Sequence, residues 1–221
     1  MRIGLFGGTF NPIHNGHLRA ALEVKGGFNL DQIYLIPAAV PPHKTPGMVV
    51  SADDRLQMIN LATADLSGIT VADVELRRPG PSYTIDTVRY FKHTLEKGSR
   101  IFLMMGLDAF LEIHTWKSYK ELLEQSAFIV IARPTEAHPD AQQGRKRLED
   151  YFKSTLSADY ELSAGGDYYI AKGKQPLHFC DVSAPDISST VIREKIKEKQ
   201  TVGNWVPPQV AEYIQLKGLY T

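Results

Sequence analysis

Several things are scarce in this chain, and each scarcity removes a class of protein. Its 221 residues hold one cysteine, Cys180, so an internal disulfide is excluded and a reducing, cytoplasmic setting is expected. No apolar run approaches the ~20 residues that cross a bilayer, so no membrane role is expected. An excess of one charge is missing as well. The 25 Lys and Arg cancel the 25 Asp and Glu, so no global field draws the chain to nucleic acid or an anionic membrane. Any polyanion must be held by a local cluster. Met1-Arg2-Ile3 runs straight into the first apolar stretch, which leaves no room for a signal peptide.

What is present is a rhythm of short apolar runs, at 3–6, 33–36, 69–74, 101–105, 127–132 and 177–180, with helical segments between them. Continuous apolar runs mark strands buried on both faces of a parallel sheet. The alternation predicts an α/β fold, a single doubly wound Rossmann-like domain over residues 1–221 with a mostly parallel sheet. Residues 135–173 read as a variable insertion and 187–221 as a helical C-terminal part. Helices are expected near 18–23, across 52–64 with Arg55, after Thr84 up to a stop at Gly98, from a Ser118/Glu121 capping box, and from Pro207 to Gly218. The Gln142-Gln143-Gly144-Arg145-Lys146-Arg147 run reads as a solvated helix face.

Ligands of such sheets bind beyond the carboxyl ends of the strands. The first strand ends in Gly7-Gly8-Thr9-Phe10-Asn11-Pro12-Ile13-His14-Asn15-Gly16-His17-Leu18, a strand, a glycine turn and a helix start. That order sets backbone N–H groups around an anion. Gly7 and Gly8 have no Cβ, so they can take positive φ and let an anion approach the backbone closely, with Asn15 capping the helix. His14 and His17, three apart, project from one face beside the positive end of the helix dipole. A zinc reading lacks the supporting Cys or carboxylate. No Lys-Ser/Thr follows the glycines, and Gly-x-Gly-x-x-Gly is absent. Near the other end, Ile187-Ser188-Ser189-Thr190-Val191-Ile192-Arg193 offers a second helix start, with hydroxyls, free N–H groups and a guanidinium one turn on.

These two stretches resemble the His-x-Gly-His and the C-terminal Ser/Thr-Arg motifs of the nucleotidyltransferase superfamily. Within it the chain is most similar to the bacterial nicotinate mononucleotide adenylyltransferases, over nearly its whole length. The further matching pieces are Val40-Pro41-Pro42-His43-Lys44, Glu75-Leu76 with Ser82-Tyr83-Thr84, Gly106-Leu107-Asp108, Thr115-Trp116 and Arg133-Pro134. The resemblance implies adenylyl transfer from ATP to nicotinate mononucleotide, giving nicotinate adenine dinucleotide and pyrophosphate in NAD biosynthesis. It assigns His14, His17, Lys44 and Arg193 to catalysis. Gly7, Gly8, Thr9, Phe10, Gly16, Gly106, Asp108, Arg133, Ile187, Ser188, Ser189 and Thr190 would bind ATP. Asn11, Lys44, Ser82, Tyr83, Thr84, Leu107 and Trp116 would bind nicotinate mononucleotide. Mg²⁺ is expected with ATP rather than in a protein cage.

One departure stands out: the family often has Asp where this chain has Asn11, so a charged role there is lost. Phosphopantetheine adenylyltransferase, which shares the two terminal motifs, and a non-catalytic nucleotide sensor stay open as alternatives. The degree of preference for acid over amide stays open too, as does assembly, a homo-oligomer included.

Overall fold

The sheet grows outward from its first strand, whose residues are apolar on both faces of the pleat. In the computed structural model, which describes residues 1–39, 49–133, 141–157, 159–183, 185 and 187–221, β1 (Arg2–Gly8) pairs in parallel with β2 (Gln32–Pro37) and β4 (Arg100–Gly106). β3 (Ile69–Val71) extends the sheet beyond β2. β5 (Ala127–Ala132) and β8 (Leu177–Asp181) extend it beyond β4, also in parallel. Two short antiparallel strands, β6 (Glu161–Leu162) and β7 (Tyr169–Ile170), finish that edge. The order is β3-β2-β1-β4-β5-β8-β7-β6.

The pleat sends alternate side chains to two cores. Phe6, Ile129 and Ile131 meet Ala20 and Val24 of α1 (Asn15–Gly27), Met58 and Ile59 of α2 (Ala52–Thr63), Ile192 of α7 (Ser189–Lys197) and Val210 and Ile214 of α8 (Pro208–Lys217). Ile3, Leu5, Phe128 and Val130 meet Ile85 and Val88 of α3 (Thr84–Thr94), Phe110 of α4 (Leu107–Leu111), Leu122 of α5 (Tyr119–Gln125) and Leu148 of α6 (Ala141–Tyr151). A slip of one residue would exchange the two cores, and each buried side chain contributes about 1.5–3 kcal/mol against it. The register is therefore fixed by burial.

Connectivity opens the crevice. α1 and α2 carry the chain from β1 to β2 and β3 over one face, and α3 returns it to β4 over the other. The order in which strands are added therefore reverses between β1 and β4, and sheets of this kind bind ligands at that switch.

Five local expectations need correction. The third strand stops at Val71 rather than 74, because the chain turns at once, Arg77 N–H donating to the Asp73 carbonyl. α3 ends at Thr94, and Gly98, with φ of +87°, instead makes the turn into β4. The Ser118/Glu121 box does not form. Ser118 is left-handed (φ +52°) and makes no cap bond, while Glu121 accepts two bonds from Arg89 of α3 at 3.0 and 2.6 Å. Asn15 is not the cap of α1: His14 holds that position, and the Asn15 amide donates to the Asn204 carbonyl at 3.1 Å. The 142–147 run does lie on a helix, but its Arg145 covers the Phe179 ring at 5.1 Å instead of only facing solvent. Among the described residues no helix is long and apolar enough to cross a membrane.

Candidate active site

The loop from Thr9 to His14 leaves β1 and turns back into α1. Gly7 and Gly8 belong to the strand and neither has positive φ; the left-handed residue is Phe10 (φ +49°). A Cβ on Gly8 would come within 2.9 Å of the Phe10 ring, so this glycine makes room for the buried phenylalanine. Gly16 has a similar reason. A Cβ there would sit 3.1 Å from Nδ1 of His14 and 3.2 Å from the Pro185 carbonyl. The glycine of His-x-Gly-His thus lets the first histidine lie flat on the helix start.

The two imidazoles stack, centroids 3.6 Å apart at 23°, and Phe10 packs edge-on against His17 at 5.1 Å. The backbone N–H of His14 donates to Nδ1 of His17 at 3.3 Å. Neutral His17 must then carry its proton on Nε2, which becomes a fixed donor. His14 is 2 % exposed, and its Nδ1 has no partner among the described residues. Burial, with the Arg133 charge nearby, lowers the His14 pKa to about 3. Burial, then His14, then Arg133 push that of His17 well below the usual imidazole range. Both rings are neutral hydrogen-bonding groups at pH 7.

The second helix start docks on this loop. Ser188 caps α7 by accepting the Val191 N–H at 3.2 Å. Ser189 donates to the Pro12 carbonyl at 2.9 Å, and Arg193 donates to the Asn11 carbonyl at 2.9 Å and to the Thr190 hydroxyl at 3.3 Å. The Ser189 hydroxyl thus spends its proton on the loop, while those of Ser188 and Thr190 only accept and keep their O–H groups as donors. Arg133 follows β5 and reaches the carbonyl of buried Ile187 at 3.5 Å. His14, His17, Arg133 and Arg193 are accordingly brought to one end of the sheet.

Beside them opens a cavity of about 360 Å³. Gly7, Gly8 and Thr9 form its near side, and Leu5, Ile36, Leu103, Met105 and Trp116 make it apolar. Ser82, Tyr83 and Thr84, at the start of α3, line it as well, with the Ser82 hydroxyl accepting the Ala39 N–H at 2.8 Å. Trp116 is half-buried.

Some expected residues lie elsewhere. Leu107 is buried in the core under α4 and does not line the cavity. Gly106 is exposed at the end of β4, and Asp108 pairs with Arg147 at 2.9 Å. Asn11 is buried, its Oδ1 accepting Val50 N–H and the Tyr220 hydroxyl. Lys44, with Val40, Pro41, Pro42 and His43, falls outside the described residues, as does Pro134.

Glu75 belongs to the matching pieces and Arg55 to an expected helix, but the sequence assigns neither a role at the site. Glu75, buried and accepting the Thr87 hydroxyl at 2.6 Å, lines the cavity with Thr87 and Lys117. Glu75 closely follows the third strand, and that position was its signal. Arg55 shares the buried face of α2 with Met58, Ile59 and Ala62. A guanidinium at an apolar-face position was the available sign.

A doubly wound sheet with a histidine pair at the first helix start and an arginine from a late helix leaning on it defines a nucleotidyltransferase. The model of the cytidylyltransferase-like family matches residues 5–195, and the chain belongs to that family. It is 38% identical over 221 residues to a protein of Desulfatibacillum aliphaticivorans named a probable nicotinate-nucleotide adenylyltransferase, covering 100% of both chains. A protein of the same name from Thermus thermophilus is 36% identical over 220 residues, again covering 100% of both. Among solved structures, Plasmodium falciparum nicotinic acid mononucleotide adenylyltransferase complexed with NaAD superposes with a TM-score of 0.72 at 17% identity, covering 99% of this chain and 97% of that one. At that identity the likeness speaks for the fold.

Proposed function

We propose that this chain transfers the adenylyl group of ATP to nicotinate mononucleotide, releasing pyrophosphate. An oxygen of the acceptor phosphate attacks the α-phosphorus. The bond from that phosphorus to the bridging oxygen breaks, and pyrophosphate leaves with the electron pair. The attacking oxygen is already anionic at pH 7, so the step needs no protein nucleophile or base. Catalysis then rests on positioning and on stabilising charge in transit. His17, through its Nε2–H, and His14 would donate to the α- and β-phosphates as neutral groups, while Arg193 and Lys44 would hold the outer oxygens. Trp116 would wall the pyridine ring, whose cationic face suits an aromatic partner. Gly106, Asp108 and Arg133 would receive the adenosine end.

Mg²⁺ fits this site as a passenger on ATP. Among the described residues no three His, Cys, Asp or Glu side chains gather as a cage, so its ligands would be phosphate oxygens and water, the arrangement this hard cation favours.

The observation that carries the reading is the adjacency of the histidine loop to an apolar cavity of about 360 Å³ that begins at Gly7 and ends at Trp116. It is supported by the full-length relatives of the same name. Pyrophosphate release from ATP should be measured with nicotinate mononucleotide, its amide and phosphopantetheine in parallel. Release with the first, and less with the second, is expected. Release with phosphopantetheine alone would move the assignment, and none with any acceptor would leave a nucleotide sensor.

A further inference from the structure

Arg55 is the largest fully buried side chain that is not apolar, 1 % exposed inside the core of α2. Among the described residues it forms no ion pair with a carboxylate. Its three donor nitrogens instead go to three backbone carbonyls: Nη1 to Thr9 at 2.9 Å, Nε to Val50 at 3.3 Å and Nη2 to Ala39 at 3.4 Å. Thr9 opens the histidine loop, and Ala39 and Val50 flank the 40–48 stretch that carries Lys44. A buried cation without an anion is a poor way to gain stability, since a packed apolar side chain does better. What a guanidinium adds is a rigid fork that fixes several acceptors relative to one another.

Asn11 ties the same segments a second time. Its Oδ1 accepts Val50 N–H at 3.2 Å and the Tyr220 hydroxyl at 2.9 Å, and its carbonyl accepts Arg193. Val50 is thus held through both of its backbone polar groups, by Asn11 at N–H and by Arg55 at C=O. Tyr220 comes from beyond α8, which is itself tied to α2 by the Tyr213 hydroxyl on Asp54 at 2.8 Å. Arg55, Arg193 and Asp54 are the charged groups acting on the Tyr220 hydroxyl.

We infer that Arg55, Asn11 and Tyr220 form a positioning knot that sets the histidine loop, Val50 and Arg193 in register for one triphosphate, with Asn11 acting through the loop rather than on the substrate. The inference rests on the proposed adenylyl transfer for its kinetic consequence, and on the hydrogen bonds alone for its structural one. Either Asn or Asp at position 11 supplies an oxygen for Tyr220 and Val50.

The test begins with Tyr220→Phe, which removes one hydroxyl. Its kcat should fall about tenfold, with both KM values within twofold and Tm down by no more than about 4 °C, as for one lost hydrogen bond in a domain of this size. Asn11→Asp should retain turnover within about threefold, while Asn11→Leu should lose tenfold or more. Wild-type turnover in Tyr220→Phe, or Asn11→Asp as impaired as Asn11→Leu, overturns the inference. Imidazole nitrogen-15 NMR separates this from the function itself. His17 should show a single Nε2–H tautomer in the wild-type chain and a mixture in Tyr220→Phe. If the wild-type chain releases no pyrophosphate, a mixture still supports the knot, and an unchanged spectrum ends it.

Discussion

The two sides of the crevice meet opposite physical demands. The histidine loop and α7 present neutral imidazoles, backbone groups and guanidinium forks, held to one another by hydrogen bonds. The cavity toward Trp116 is walled by Leu5, Ile36, Leu103 and Met105. Where the ligand is a polyanion it brings its own charge, and fixed dipoles stabilise it with little reorganisation. A flat ring gains mainly from leaving water. Loss of a group on the first side should therefore appear in turnover, and loss on the second in binding.

The largest expected break is His17→Ala. It should lower turnover on the order of 10²–10³, as when one preorganised donor is removed, with KM for nicotinate mononucleotide little changed. Steady-state kinetics on purified protein checks this, and near-normal turnover would refute the role. Trp116→Ala should do the reverse, raising KM for nicotinate mononucleotide about tenfold, or ~1.4 kcal/mol, while KM for ATP stays within twofold. An equal rise in both would erase the contrast between the two sides.

Acidity sharpens the same contrast. Native His14 stays neutral down to about 3, whereas the unfolded chain takes up that proton near the ordinary 6.5. The stability held above 6.5 is therefore lost as pH falls from 6.5 toward 3, at up to ~1.4 kcal/mol per pH unit for this residue. Urea midpoints measured between pH 7 and 5 should fall, and His14→Gln should flatten the slope. Turnover should show no inflection near 6.5 from these rings. The smallest effect belongs outside the crevice. Glu121→Gln breaks a pair with Arg89 whose side chains are 29% and 46% exposed, so chemical denaturation should register less than ~1 kcal/mol and kinetics no change.

Much of this was legible in the letters. The long central strands were readable because strands buried on both faces must be continuously apolar, whereas β3, with Thr70 exposed, is half the expected length. The edge strands β6 and β7 were not readable: two residues each, with Glu161, Leu162 and Ile170 exposed, leave no periodicity. Ser118 and Glu121 had the spacing of a cap, but a bidentate bond to Arg89 from another helix competed for Glu121 and won. That Ser189 spends its hydroxyl on the histidine loop was not readable, because its partner Pro12 lies far away in sequence.

The sequence by itself determined the α/β class, the two helix-start motifs and the apolar faces, because these follow from local periodicity and from what glycine, proline and histidine can do within a few residues. Only the tertiary structure decided that Asn11 faces Tyr220, that Arg55 joins three carbonyls, and that both imidazoles are neutral. Each of those depends on burial and on partners that the spacing of letters does not mark, from 5 to 209 residues away, and a pKa or a hydrogen bond is set by what stands next to a group in space.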